Sequence, residues 1–240
     1  MSNENLKNIV ILGGGTAGWM AANLLQKKWR HLGINITVVE SPDIGIIGVG
    51  EGSTPLLKDF FDSLDISESE WMPKCNATYK NGISFNNWST VAGYEAYFHP
   101  FPCSLDFATL GLLYKYSALR RKGVDVLAHP NRFSLMSNLT QKKLAPIPSE
   151  NFPFHFQYGY HFDSVLIGKF LRDRAKADGV AHIEATVEHV EQDSNGDINQ
   201  LKLNNGDNVE GDFFVDCSGF ASILLQKTLK VPFVSFGENL

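Results

Sequence analysis

Gly13, Gly15 and Gly18 stand in the spacing Gly-x-Gly-x-x-Gly, and Glu40 follows 22 residues after the third glycine. These residue types suit a dinucleotide. The first glycine makes a tight turn, the second lets backbone N–H groups approach a pyrophosphate, and the third lets a helix lie close to a strand. The phosphates then sit at the positive end of that helix, beside Thr16 and Ala17. Glu40 is placed to accept hydrogen bonds from an adenosine ribose. The pattern does not separate NAD from FAD, because both are held this way. A second glycine-rich stretch, Gly48-Val49-Gly50-Glu51-Gly52-Ser53-Thr54-Pro55, follows closely. Its glycines permit close backbone approach. Ser53 is placed to cap a helix over 54–64, with Pro55 in the first turn.

The elements that must position these residues are visible around them. Residues 9–12 form an apolar, β-branched run, a helical segment reaches to about Arg30, and residues 34–39 form a second apolar run. Strand, glycine turn, helix, strand and acid make a βαβ nucleotide-binding unit. On the helix, Ala17, Met20, Ala21, Leu24, Leu25 and Lys28 recur at helical spacing, which predicts the sheet-facing side. Residues 54–64 and 67–74 read as short helices, and Ser67 with Glu70 resembles a capping box. Residues 76–88 are strand-like and carry Lys80, whose ordinary reading is a solvated lysine. Residues 89–107 hold Tyr94, Tyr97, Phe98, His99, Phe101 and Phe107, broken by Pro100 and Pro102, which suits a loop around a flat apolar ligand.

Further on, 104–122 and 132–143 are helical by period. Residues 155–160 predict a strand, followed by a helix to about residue 178 with Asp163 as N-cap. Val165, Leu166, Phe170 and Leu171 supply its apolar face, and His161 takes a structural role at the junction. Residues 181–190, 198–203 and 208–210 predict a β-meander turning at Asn195-Gly196 and Asn205-Gly206. Residues 213–215 then read as a fully buried strand. It returns beside the first βαβ unit and brings Asp216-Cys217-Ser218-Gly219 to the nucleotide.

Composition narrows the partners. The chain has 240 residues, 43% hydrophobic, with a net charge of −5, which gives no reason to propose nucleic acid. Three widely spaced cysteines form neither a disulfide framework nor a metal site. No apolar run is long enough for a membrane span. A reducing cytoplasm is the default compartment.

Gly13-Gly14-Gly15-Thr16-Ala17-Gly18-Trp19-Met20-Ala21-Ala22 together with Gly48-Val49-Gly50-Glu51-Gly52-Ser53-Thr54-Pro55 resembles the flavin-dependent tryptophan halogenase family. Glu70-Trp71-Met72-Pro73, Asn76-Ala77-Thr78-Tyr79-Lys80, Tyr160-His161-Phe162-Asp163 and Asp216-Cys217-Ser218-Gly219 agree, in family order, across nearly the whole chain. The family has Ala-Thr where Gly52-Ser53 stands here. The resemblance implies an α/β fold of the Rossmann-like, glutathione-reductase type, related to aromatic hydroxylases. Residues 1–50 and 155–240 would form the nucleotide-binding core, and 51–154 an insertion. It implies FAD, used as FADH2, bound by Gly13, Gly15, Thr16, Ala17, Gly18, Glu40, Gly48, Val49, Gly50, Glu51, Ser53 and Gly219. It also implies a halide, chloride or bromide, oxidised to hypohalous acid.

Lys80 would be the catalytic lysine that holds this oxidant or forms a haloamine. His99 and Phe101 would line the pocket for an arene such as tryptophan or indole, although Pro102 stands where the family often has glycine. With one dinucleotide fingerprint, a separate flavin reductase is implied as partner, and a homodimer is admitted. The family's Trp-x-Trp-x-Ile-Pro motif and the glutamate that partners the lysine are absent from these 240 residues. A fragment and a truncated relative both remain open, and the chain alone is expected not to halogenate at a useful rate. An FAD aromatic monooxygenase, or a flavin-binding relative without turnover, are the alternatives.

Overall fold

The computed structural model describes residues 6–45, 48 and 50–239. The strands are β1 (Asn8–Leu12), β2 (Asn35–Glu40), β3 (Gly50–Gly52), β4 (Thr78–Lys80), β5 (Gly82–Phe85), β6 (Tyr97–Pro100), β7 (Gly159–Asp163), β8 (Ala181–Glu184), β9 (Val187–Gln192), β10 (Ile198–Leu203), β11 (Asn208–Glu210) and β12 (Phe213–Asp216). The helices are α1 (Thr16–Trp29), α2 (Leu56–Ser63), α3 (Glu68–Trp71), α4 (Ser104–Arg121), α5 (Leu135–Gln141) and α6 (Ser164–Ala177). They fall into two compact units, residues 1–49 with 163–240, and residues 50–162.

The first unit is built on a parallel sheet of order β12-β1-β2-β8. β1 is central, and Ile9, Val10 and Ile11 are almost wholly buried, as a strand covered on both faces requires. β12 returns beside β1, with Val10 opposite Phe214. It is an edge strand, not a fully buried one: Phe213 is 55% exposed. Residues 181–184 also depart from the sequence expectation. They join β2 as β8, and the meander is β9-β10-β11 alone. Its turns place Gly196 and Gly206 at φ of 89° and 88°, where glycine is favoured.

Helix α1 buries Gly18, Trp19, Ala22 and Asn23, about one residue round from the predicted stripe, and Ala17 is exposed. The buried Asn23 amide explains the difference. It donates to the Trp19 carbonyl at 2.7 Å and to the Leu171 carbonyl of α6 at 2.9 Å. In α6, Asp163 is the N-cap, its carboxylate accepting from the Val165 and Leu166 N–H groups. Ile167, Gly168, Leu171 and Ala175 form the buried face, while Val165 is exposed.

The second unit holds the three-stranded sheet β3-β7-β4 and the β5-β6 hairpin. Strand β6 therefore stands inside the stretch expected to be a loop. Phe61 stacks on Trp71 at 4.2 Å, and Trp71 meets Tyr160 edge-on at 4.8 Å. No helix among the described residues is long and apolar enough to cross a membrane.

Candidate functional site

In the first unit, the turn after β1 is shaped by contacts that exclude side chains. Gly13 has φ of 117°, and a Cβ there would collide with the Cys217 carbonyl of the returning strand. A Cβ on Gly18 would strike the Gly13 carbonyl, and one on Gly14 would strike the Glu40 carboxyl group. At Gly15 the opposite holds: nothing lies within 4 Å of the Cβ position. Gly15 is also the N-cap of α1, whose first turn, from Thr16 and Ala17, has no acidic side chain. Open space at a helix N-terminus without a competing carboxylate is what a pyrophosphate requires. These residues fit a flavin or nicotinamide dinucleotide.

Glu40 ends β2, and its Oε2 lies 3.0 Å from His182 Nε2, a ring almost fully buried on β8. His182 also meets Trp19 edge-on at 5.0 Å. The imidazole fixes the carboxylate over Gly14, leaving the second oxygen as an acceptor. Neither Gly14 nor His182 is signalled by the glycine spacing. Gly14 is a free position of the motif, and His182 reaches Glu40 through a strand pairing 142 residues distant.

At the end of β12, Asp216 accepts from the Ser218 N–H and hydroxyl through one oxygen, and from the Leu224 and Leu225 N–H groups through the other. Burial pushes its carboxyl up, but the hydrogen bonds from Ser218, Leu225 and Leu224 outweigh it and hold it below the ordinary value. This knot shapes the turn bearing Gly219, which is exposed with φ of 62°. Burial, and then the Asp216 charge, pushes the Cys217 thiol up, which disfavours the thiolate.

The glycine-rich stretch divides. Gly48 lies in the first unit, Val49 lies outside the described residues, and Gly50, Glu51 and Gly52 are strand β3 of the second unit. Ser53 caps no helix. α2 begins at Leu56 with Pro55 before it, and Ser53 Oγ accepts the Tyr160 N–H at 3.0 Å. Ser53 instead extends the pairing of β3 with β7, its own N–H donating to the Tyr160 carbonyl at 2.8 Å.

Lys80 closes β4. Its Nζ donates to the Ser53 carbonyl at 3.0 Å and lies 5.6 Å from the centre of the Phe101 ring. Phe101 is buried, and its N–H donates to the Asn81 carbonyl, so backbone bonding holds the ring beside the ammonium. Partial burial lowers the Lys80 pKa from its ordinary value. His99 is on β6, exposed and paired with Ile83. No contact brings it to Lys80, unlike Phe101.

The face opposite Lys80 carries a polar knot that local sequence did not signal. Tyr79, Tyr158 and Tyr160 all donate to the Glu68 carboxylate, at 2.8, 2.7 and 2.7 Å. Glu68 opens α3, where a helix-start acid reads as dipole compensation, and its partners lie up to 92 residues away.

These features meet in the comparisons. The tryptophan halogenase family matches residues 8–240. The chain belongs to that family. It is similar to tryptophan 7-halogenase RebH of Lentzea aerocolonigenes, at 36% identity over 98% of this chain and 46% of the relative. Among solved structures it resembles Xcc4156, a flavin-dependent halogenase from Xanthomonas campestris, with TM-score 0.81, 35% identity, and 95% and 45% of the two chains covered. It also resembles the tryptophan 6-halogenase SttH of Streptomyces toxytricini, with TM-score 0.82, 34% identity, and 98% and 46% covered. The chain thus spans about half the length of the curated relatives it matches. The fold is the Rossmann-like FAD-binding fold expected from the sequence, not an unrelated α/β sheet.

Proposed function

We propose that this chain is the FAD-binding part of a flavin-dependent halogenase whose substrate is an electron-rich arene such as tryptophan or indole. The observation that carries the reading is Lys80, an ammonium held on the Ser53 carbonyl beside a buried Phe101 ring. The family match runs through all three residues. FAD would lie along Gly13, Gly15, Thr16, Ala17 and Gly18, with Glu40 at the ribose and Gly48 and Gly219 at the flavin end. Gly50, Glu51 and Ser53 stay in this assignment on the resemblance alone. Bound and reduced, FAD supplies the reaction with O2 that turns chloride or bromide into hypohalous acid.

The chain's own residues divide the rest. Gly15 clears the phosphate approach, and α1 contributes its N-terminal N–H groups. Lys80 holds the oxidant by donating hydrogen bonds, and its position relative to the arene determines which carbon reacts, because a free oxidant attacks any electron-rich ring. Phe101, with His99, supplies apolar surface for that ring. A separate reductase furnishes reduced flavin. We take the cytoplasm as compartment, which suits a chain with three widely spaced cysteines.

The test uses the protein at the length its gene encodes, supplied with a flavin reductase, FAD, halide and tryptophan or indole. A halide-dependent halogenated product is expected. Lys80→Ala should lower its yield at least about 10²-fold, as loss of one placed electrostatic group does, while FAD binding stays intact. Hydroxylated arene without halide would instead establish a monooxygenase.

A further inference from the structure

The space above Gly52 brings a second nitrogen to Lys80. A Cβ built on Gly52 would lie 3.0 Å from Lys80 Nζ, 3.2 Å from His161 Cδ2 and 3.5 Å from His161 Nε2. Both side chains converge on one point that this residue leaves empty. The strand register explains why. Thr78 faces His161 and Lys80 faces Gly159, so Lys80 and His161 are diagonal neighbours on one face of the sheet. Gly159 stands between Lys80 and β3. A Cβ there would lie 2.6 Å from the Ser53 carbonyl oxygen and 3.2 Å from Phe101 Cε2. Two glycines, Gly52 and Gly159, therefore clear the floor on which the ammonium and the imidazole meet.

The groups on that floor are complementary. The Lys80 ammonium has three N–H donors, and one goes to the Ser53 carbonyl. His161 is exposed on this face; loss of some solvent, and then the Lys80 charge, lowers its pKa below the ordinary value and favours the neutral ring, in which one nitrogen accepts. Donor and acceptor side by side suit a small neutral oxyacid, whose oxygen accepts from the amine while its O–H donates to the ring.

We propose that His161 is the second binding residue of the Lys80 site and accepts the O–H of hypohalous acid while Lys80 donates to its oxygen. The proposal rests on the reading of Lys80 as the oxidant-holding residue. With its hydroxyl hydrogen on His161, HO–X is kept at the Lys80 nitrogen, and once that nitrogen gives up a proton its lone pair can reach the halogen. His161 is thereby an orienting group, and no longer only the filler of a strand–helix junction.

The experiment uses the protein at the length its gene encodes, without flavin, and hypochlorous acid itself as probe, below one equivalent, at neutral pH, where much of the oxidant keeps its proton and the imidazole is neutral. At the Lys80 amine an N–Cl bond forms as the Cl–O bond breaks, and the hydroxyl leaves as water with a proton from the nitrogen. Peptide mass spectrometry reads the distribution of chlorine among the lysines, with Lys58 as internal reference, its side chain 31% exposed in the same unit. Acetic anhydride, which has no O–H to donate, reports the plain accessibility of the same amines.

In the wild type, Lys80 should be chlorinated at least about fivefold more than Lys58. His161→Phe should bring that ratio close to one and leave acetylation of Lys80 unchanged. His161→Gln, which keeps an accepting oxygen, should retain part of the preference. An unchanged chlorine ratio in His161→Phe overturns the proposal. So does a parallel fall in chlorination and acetylation, which marks displacement of Lys80. A wild type without preference for Lys80 overturns the proposal together with the oxidant-holding reading of Lys80.

Discussion

Tyr79 and Lys80 are neighbours on one short strand and bond on its two opposite faces. The Tyr79 hydroxyl donates to Glu68 at 2.8 Å, and the Lys80 ammonium donates to the Ser53 carbonyl at 3.0 Å. Alternation along β4 makes this unavoidable. Whatever fixes Tyr79 therefore fixes the plane from which Lys80 rises. Glu68 fixes Tyr79, and it also fixes Tyr160 directly opposite on β7.

Glu68→Ala should destabilise the protein by about 2–4 kcal/mol, because several part-buried phenols lose one shared acceptor. Glu68→Gln should cost less. Alkaline pH tests the same knot with a defined sign. Burial, then the hydrogen bond to Glu68 and its charge, pushes Tyr79 up to about 12 from 10.0. Tyr158 and Tyr160 are pushed up for the same reasons. A group raised in the folded state gives stability that is present below the unfolded value and lost as pH rises through the folded one. Urea midpoints should thus fall between about pH 10 and 12, and less steeply in Tyr79→Phe. A flat profile in the wild type would show that these phenols titrate alike folded and unfolded.

Three glycines of the first turn should separate by substitution. Gly15→Val introduces a side chain into open space, so melting temperature should hold while FAD binding is lost. Gly18→Ala and Gly13→Ala place a methyl against backbone carbonyls and should lower the melting temperature before any ligand is added. Titration with FAD and with NAD⁺, alongside thermal melts, reads both effects. A Gly15→Val protein that binds FAD normally would remove the pyrophosphate from this turn.

Local rules made the first βαβ unit legible, because Gly13, Gly15, Gly18 and Glu40 are required by backbone geometry within one continuous stretch. Asp163 was equally readable, since an N-cap bonds to its own next residues. Long-range pairing was not readable. Ser53 looks like a cap from its neighbours, yet its hydroxyl serves Tyr160, 107 residues away. Residues 181–184 look like the start of a meander, and only the vacant edge of β2 turns them into a parallel strand. The Glu68 knot, and the diagonal placement of His161 beside Lys80, were not readable for the same reason. Each meets its partners through strand register, which periodicity does not encode.

Glu40 should show two separable roles. Glu40→Gln keeps an acceptor for His182 and loses the charge toward the ribose. FAD affinity should fall about tenfold, the loss of roughly 1.4 kcal/mol for a charge-assisted bond. Glu40→Ala also leaves the His182 ring, 3% exposed, without its partner. That variant should lose about 1–3 kcal/mol of stability as well. Calorimetric titration together with denaturant melts distinguishes the two. Wild-type affinity in both variants would place the ribose elsewhere.

Asp216 should govern acid stability and flavin binding together. Its two oxygens accept four hydrogen bonds, from Ser218, Leu224 and Leu225, and these hold its carboxyl below the ordinary 3.8. A group lowered in the folded state gives stability that is present above the unfolded value and lost as pH falls through the folded one. The contribution should therefore be full above about pH 4 and disappear below it. Asp216→Asn turns one acceptor oxygen into an N–H donor that faces other donors. It should cost about 1–3 kcal/mol at neutral pH and flatten the acid limb of the urea midpoint against pH. The same carboxylate shapes the turn between Cys217 and Gly219, and the Cys217 carbonyl lies where a Gly13 side chain would be. Loosening that turn should loosen the phosphate turn beside it, so FAD affinity should fall even where the variant stays folded. An Asp216→Asn protein with lowered stability and unchanged FAD affinity would show that the knot supports the sheet alone.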